Sequence, residues 1–78
     1  MNGEQEILNT IGNRIRKIRD EKSLSQMAVA YSAGMSMSHL SKIEHGHHVP
    51  GLLVLIRIAL ALGVKFSDLT QDMDTFTP

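Results

Sequence analysis

The stretch SQMAVAYSAGMSMSHLSKIEHG, residues 25–46, decides how this chain folds. Ser25 is a helix N-cap residue type, because its hydroxyl accepts a backbone N–H that the first helical turn leaves unpaired. The spacing after it predicts a short helix through Ser32, with Val29 and Ala30 facing the core. Ala33-Gly34-Met35 breaks that pattern, and Gly34 supplies the positive φ that a sharp turn needs. Ser36 then caps a second short helix over residues 37–45, with Leu40 and Ile43 inward, and Gly46 ends it. Two short helices joined by a three-residue turn containing glycine form a helix-turn-helix. The second helix of such a unit fits the major groove of DNA, with its N-terminal side chains at the base edges.

Upstream, Ile7, Leu8, Ile11, Ile15 and Ile18 recur every three or four residues and predict a helix over residues 4–22. Asn2 with Gln5 is a candidate capping box. A start near Thr10 is the alternative, with residues 1–9 as an N-terminal extension. The opposite face carries Arg14, Arg16, Lys17 and Lys22. Downstream, His47-His48-Val49 reads as a loop, and Pro50 suits the first turn of a fourth helix that runs to Leu62 and stops at Gly63. Ser67 is the expected cap of a last short helix over residues 68–73, and residues 74–78 are the expected loose tail. No hairpin dipeptide separates two alternating runs, so strands are not predicted. The expected fold is all-α: one domain, residues 1–78, of five helices with the helix-turn-helix formed by helices 2 and 3.

Composition narrows the function classes. The 78 residues include no cysteine, which excludes disulfides and thiolate metal sites and suits a reducing cytoplasm. The first ten residues hold two acids and no base, unlike a signal peptide. The longest apolar run, residues 52–56, is far too short for a membrane span. Net charge is zero, but its distribution is uneven. All eight bases lie within residues 14–65, where the acids are Asp20, Glu21 and Glu44, a local net charge of +5. Glu4, Glu6, Asp68, Asp72 and Asp74 sit in the ends. A basic middle with acidic ends can hold a polyanion on one face.

Ile11-Gly12-Asn13-Arg14-Ile15-Arg16, Leu24-Ser25-Gln26, residues 36–46, Pro50 and residues 59–63 together resemble the Xre/Cro-repressor helix-turn-helix family. The resemblance covers roughly residues 11–69 and is specific because the pieces occur together, in order and at family spacing. It implies a lambda-repressor-like fold, double-stranded DNA as partner and no cofactor. At matching positions it implies that Gln26 contacts a phosphate and braces helix 3. Met37, Ser38 and Lys42 would face base edges, with Ser36, His39, Ser41 and His45 near the backbone or groove edge. Arg19 and Glu44 match a family ion pair between helices 1 and 3. The chain departs from the family pattern at Met37, where Gln or Arg is common and makes bidentate base contacts that Met cannot. It departs again at Met27 and Ala28 in helix 2 and at Leu53, Val54 and Leu60 in helix 4, where polar residues are usual.

Helix 4 has Leu52, Leu55, Ile56, Ala59 and Leu62 as its expected inner face, so Leu53 and Leu60 form a second apolar stripe. That stripe predicts a homodimer interface; the bland alternative is a core helix packed under the tail, with Phe76 as cover. His45, His47 and His48 lack a complete metal-ligand set and read as a loop over the DNA backbone, with a pH-dependent phosphate contact as an additional reading. Arg16 and Lys17 read as solvated surface. Met35 reads as core, and Met27 as surface or edge. The serines read as caps and phosphate donors, since no His/Asp pair is placed to activate one, and no enzyme is expected. The reading that follows is a cytoplasmic, bacterial or phage-encoded transcriptional regulator that binds a palindromic operator as a homodimer. Its half-sites would lie about one helical turn, ~34 Å, apart. The alternative is an antitoxin-like module that binds a protein partner as well as DNA.

Overall fold

Ile7, Ile11, Ile15 and Ile18 repeat along one face of a long helix, and that face forms one wall of the shared core. The computed structural model describes residues 3–73, and among them there are five helices and no strand. They are α1 (Gly3–Glu21), α2 (Gln26–Ser32), α3 (Met37–Glu44), α4 (Leu52–Leu62) and α5 (Phe66–Thr70). α1 packs against α3 and α5, α2 against α3 and α4, and α4 against α5. Their shared core holds Ile11 and Ile15, Val29 and Ala30, Leu40 and Ile43, Leu55, Ile58, Ala59 and Leu62, and Leu69. Each helix therefore contributes an apolar stripe, and none can bury it alone.

The caps explain the helix boundaries. The Ser25 and Ser36 hydroxyls accept the backbone N–H groups of Ala28 and His39, each at 3.0 Å, so both helices of the reading unit start on a serine. Gly34 turns the chain between them at φ +69°. Two bases, Arg14 in α1 and Lys22 just after it, close helix ends from a distance. Arg14 donates to the carbonyls of Leu69 and Gln71 at 3.1 and 2.7 Å, and Lys22 to that of Leu62 at 2.8 Å. Cations at C-terminal carbonyls satisfy orphan acceptors and complement the helix dipole.

α1 runs unbroken from Gly3 to Glu21, in line with the helix predicted over residues 4–22, and the alternative start near Thr10 falls away, because Gln5 donates to the Gly46 carbonyl at 2.9 Å and Ile7 packs on the core. Three other boundary and face expectations change. Pro50 precedes the Gly51 N-cap and lies outside α4. α5 starts at Phe66, not after Ser67, because the Asp68 carboxylate accepts the Lys65 N–H at 2.9 Å and fixes the cap two residues earlier. Leu52 and Ile56 are exposed, and Ile58 takes an inner position, since α4 packs through a face centred on Leu55, Ile58, Ala59 and Leu62. The proposed Asn2 cap, the Phe76 cover and the tail at residues 74–78 lie outside the described residues.

Gly12 marks the closest approach of α1 to α3. A Cβ there would stand 2.7 Å from the Ile43 carbonyl oxygen and would collide with that of Glu44. Both obstacles are backbone and cannot rotate away. Gly12→Ala is expected to lower folding stability by about 1–3 kcal/mol, an overpacking cost. Urea unfolding checks this, and a midpoint equal to the parent's would show that the α1–α3 contact yields freely.

Candidate nucleic-acid interface

Leu40 and Ile43, fully buried, anchor α3 by its inner face. The same helical period leaves Met37, Ser38, Ser41, Lys42 and His45 on the outer arc, exposed or half-exposed. Ser36 stands at the N-terminal tip with its hydroxyl engaged as the cap. The arc carries one cation, Lys42, beside two hydroxyls, a thioether and an imidazole. It can donate to base edges and phosphates while offering methionine to an apolar group such as a thymine methyl.

The angle of this helix is set by a carboxylate. Glu44 is 1% exposed. Its Oε2 accepts Arg19 Nε at 2.9 Å, and its Oε1 accepts Arg19 Nη2 at 3.3 Å and Gln26 Nε2 at 3.1 Å. Arg19 also donates to the Leu24 carbonyl at 3.1 Å. One buried side chain of α3 thus holds α1, the α1–α2 turn and the start of α2 together. A bidentate guanidinium–carboxylate pair fixes direction as well as distance, which suits a helix that must meet a groove at a set angle.

The histidines divide into two groups. His39 lies on the flank of α3, its ring edge-on to His48 with centroids 4.7 Å apart, and its Nε2 is buried with no hydrogen-bond partner among the described residues. His45 is on the outer arc; its Nδ1 lies 2.8 Å from the Ser41 carbonyl, and the His47 ring is 6.1 Å away. Among the described residues, no three His, Cys, Asp or Glu side chains come close enough to hold a metal ion. No described helix is long and apolar enough to cross a membrane.

Sequence reasoning gave Gln5 only a local capping role and placed none on Asn9 or Asn13, yet Gln5 and Asn9 close over the turn at Gly46, and Asn13 lines a concavity with His45. It also left Arg14 and Lys22 on an open basic face, although both are committed to carbonyls of the C-terminal half. Their partners lie 55 and 40 residues along the chain, too far for any local pattern to reveal.

Comparison with known proteins agrees with this geometry. Residues 15–69 match the helix-turn-helix family. The immunity repressor protein of Bacillus phage phi105 is 41% identical over 58 residues, which is 74% of this chain and 40% of that protein. The control protein C.MunI of Mycoplasma sp is 34% identical over 64 residues, 81% of this chain and 86% of that one. Among solved structures, the restriction-modification controller protein C.AhdI from Aeromonas hydrophila is similar with a TM-score of 0.78 at 31% identity, over 80% of this chain and 94% of that chain. The chain therefore spans less than half of the phage repressor and most of the two control proteins.

Proposed function

The chain belongs to the helix-turn-helix family in its Xre/Cro form, and from that premise we propose that it is a sequence-specific transcriptional regulator that binds a palindromic operator as a homodimer. The observation that carries this reading is the outer arc of α3, held at a fixed angle by the buried Glu44 on Arg19 and Gln26. Met37, Ser38 and Lys42 read base edges in the major groove, and Ser36, His39, Ser41 and His45 lie along the groove wall. Gln26, whose amide nitrogen is on Glu44, reaches a phosphate from the start of α2. The relatives named as a repressor, a control protein and a controller protein support transcriptional control as the outcome of binding.

The tip of the reading helix is poor in bidentate base readers, since methionine and serine stand at its first two positions. Specificity then leans on the spacing of two half-sites and on DNA shape as well as direct contacts. Selection of bound sites from random duplex DNA, at a stated salt concentration, tests the proposal. The expected result is an enriched inverted repeat; a pool that stays random would overturn it. On the enriched site, Lys42→Ala is expected to cost roughly 1–3 kcal/mol of binding free energy and to relax preference at one base pair. Unchanged affinity would remove Lys42 from the reading face.

A further inference from the structure

Asn9, Asn13, Arg16 and His45 line one concavity of about 210 Å³ where α1 runs past the C-terminal end of α3, with Glu44 at its base. Asn9 and Asn13 are exposed, four residues apart on α1, and Arg16 donates from its guanidinium to the Asn13 amide oxygen. The Glu44 carboxylate does not oppose an anion here, because Arg19 and Gln26 already occupy it. The concavity opens beside the outer arc of α3, since His45 belongs to both. What remains is a polar cradle with one fixed cation, amide groups and an imidazole, the chemistry that receives a phosphate.

The imidazole adds a condition. A carbonyl oxygen only accepts, so the 2.8 Å contact to Ser41 requires His45 Nδ1 to carry the proton. In the neutral ring Nε2 is then a bare acceptor and repels a phosphate oxygen. It becomes a donor only when the ring takes up a second proton. The charged and titratable groups around His45 are Arg16 from α1, Lys42 and the Arg19-paired Glu44 from α3, and His47 from the following loop.

We propose that Asn9, Asn13, Arg16 and His45 form a second, proton-linked phosphate site on the DNA backbone, in which protonated His45 and Arg16 clamp a phosphate beside the C-terminus of the reading helix. This rests on the DNA-binding reading above and extends it in two ways. The middle of α1, residues 9–16, becomes part of the interface, and binding takes up a proton. The sign is fixed: a phosphate oxygen favours the ring with a proton on Nε2, so binding is linked to proton uptake and affinity falls as pH rises.

Because a phosphate contact is independent of sequence, a short mixed-sequence duplex at constant low salt is a sufficient probe. Between about pH 6 and about pH 8, one linked proton is expected to weaken wild-type binding roughly five- to tenfold, within the limit of tenfold per pH unit. His45→Gln is expected to bind equally at both pH values, near the wild-type affinity at the higher one. Arg16→Gln is expected to bind more weakly at both while keeping the pH dependence, and His47→Gln to keep both affinity and dependence. Thermal melting of each variant confirms that the fold is intact. A His45→Gln protein that retains the full pH dependence would overturn the proton-linked site and leave the DNA reading standing. A wild-type protein that fails to bind the duplex at either pH, and selects nothing from random DNA, would overturn both.

Discussion

Arg19→Met is expected to cost about 3–5 kcal/mol of folding stability, the range for leaving one partner of a buried ion pair alone. The asymmetry of the pair sets the direction of the experiment. Glu44 is 1% exposed, whereas the Arg19 side chain keeps 16% of its surface in water. Removing Arg19 strands a carboxylate that water cannot reach, with Gln26 as its remaining donor. Removing the Glu44 charge strands a guanidinium that still touches solvent and the Leu24 carbonyl, so Glu44→Gln should cost less. A domain of this size has little margin, and the arginine variant should be largely unfolded near physiological temperature. The double variant Arg19→Met with Glu44→Leu separates charge from shape. Burying both charges is itself costly, so the double variant should recover much of the loss. It should not recover DNA binding, because an apolar contact does not fix the angle of α3 as a two-point hydrogen bond does. Urea unfolding of the three proteins checks the order. An Arg19→Met midpoint close to the parent's would show that Glu44 is hydrated in solution.

The reading unit was legible in the sequence because its determinants are local. Ser25, Gly34, Ser36 and Gly46 each act within four residues of their own position, and the serine caps and glycine turns stand where their chemistry requires. The apolar positions Val29, Ala30, Leu40 and Ile43 repeat at helical spacing and are all buried. What was not legible depends on contacts far apart in the chain. The inner face of α4 could not be chosen from an apolar helix with candidates nearly all round; it is settled by α2 and α5, which take Ile58 and leave Leu52 and Ile56 outside. The start of α5 turned on Asp68 reaching back to Lys65, a competitor to Ser67 that has no apolar pattern to mark it. The concavity at His45 needs α1 and α3 to cross at Gly12, and glycine in mid-helix signals a close approach without naming its partner.

Leu53→Glu is expected to leave the fold intact and to abolish self-association. Leu53 is 59% and Leu60 73% exposed, so a carboxylate at either position meets solvent in the monomer. With Ile56, these residues recur at three- and four-residue spacing and form a single apolar stripe on the exposed side of α4. An apolar row of this kind, on a domain too small to waste burial, is the surface a second copy would cover. On the proposed reading, a two-fold pair along this stripe would present both α3 helices to the two halves of an inverted repeat. Joining two reading heads makes the second contact intramolecular, so the monomeric variant should bind the two-half-site duplex about 10²–10⁴-fold more weakly while a single half-site is bound as before. Sedimentation of both proteins, with titration of one and two half-sites, measures each part. Wild-type dimers that persist in Leu53→Glu would move the interface elsewhere. A wild-type monomer, with Leu53→Glu binding both duplexes like its parent, would instead assign the stripe to a foreign protein partner, the antitoxin-like alternative. The single half-site carries the decision, because it reports on α3 alone: a loss there would mean that the substitution had disturbed the reading helix, and an unchanged value ties the remaining loss to association through α4.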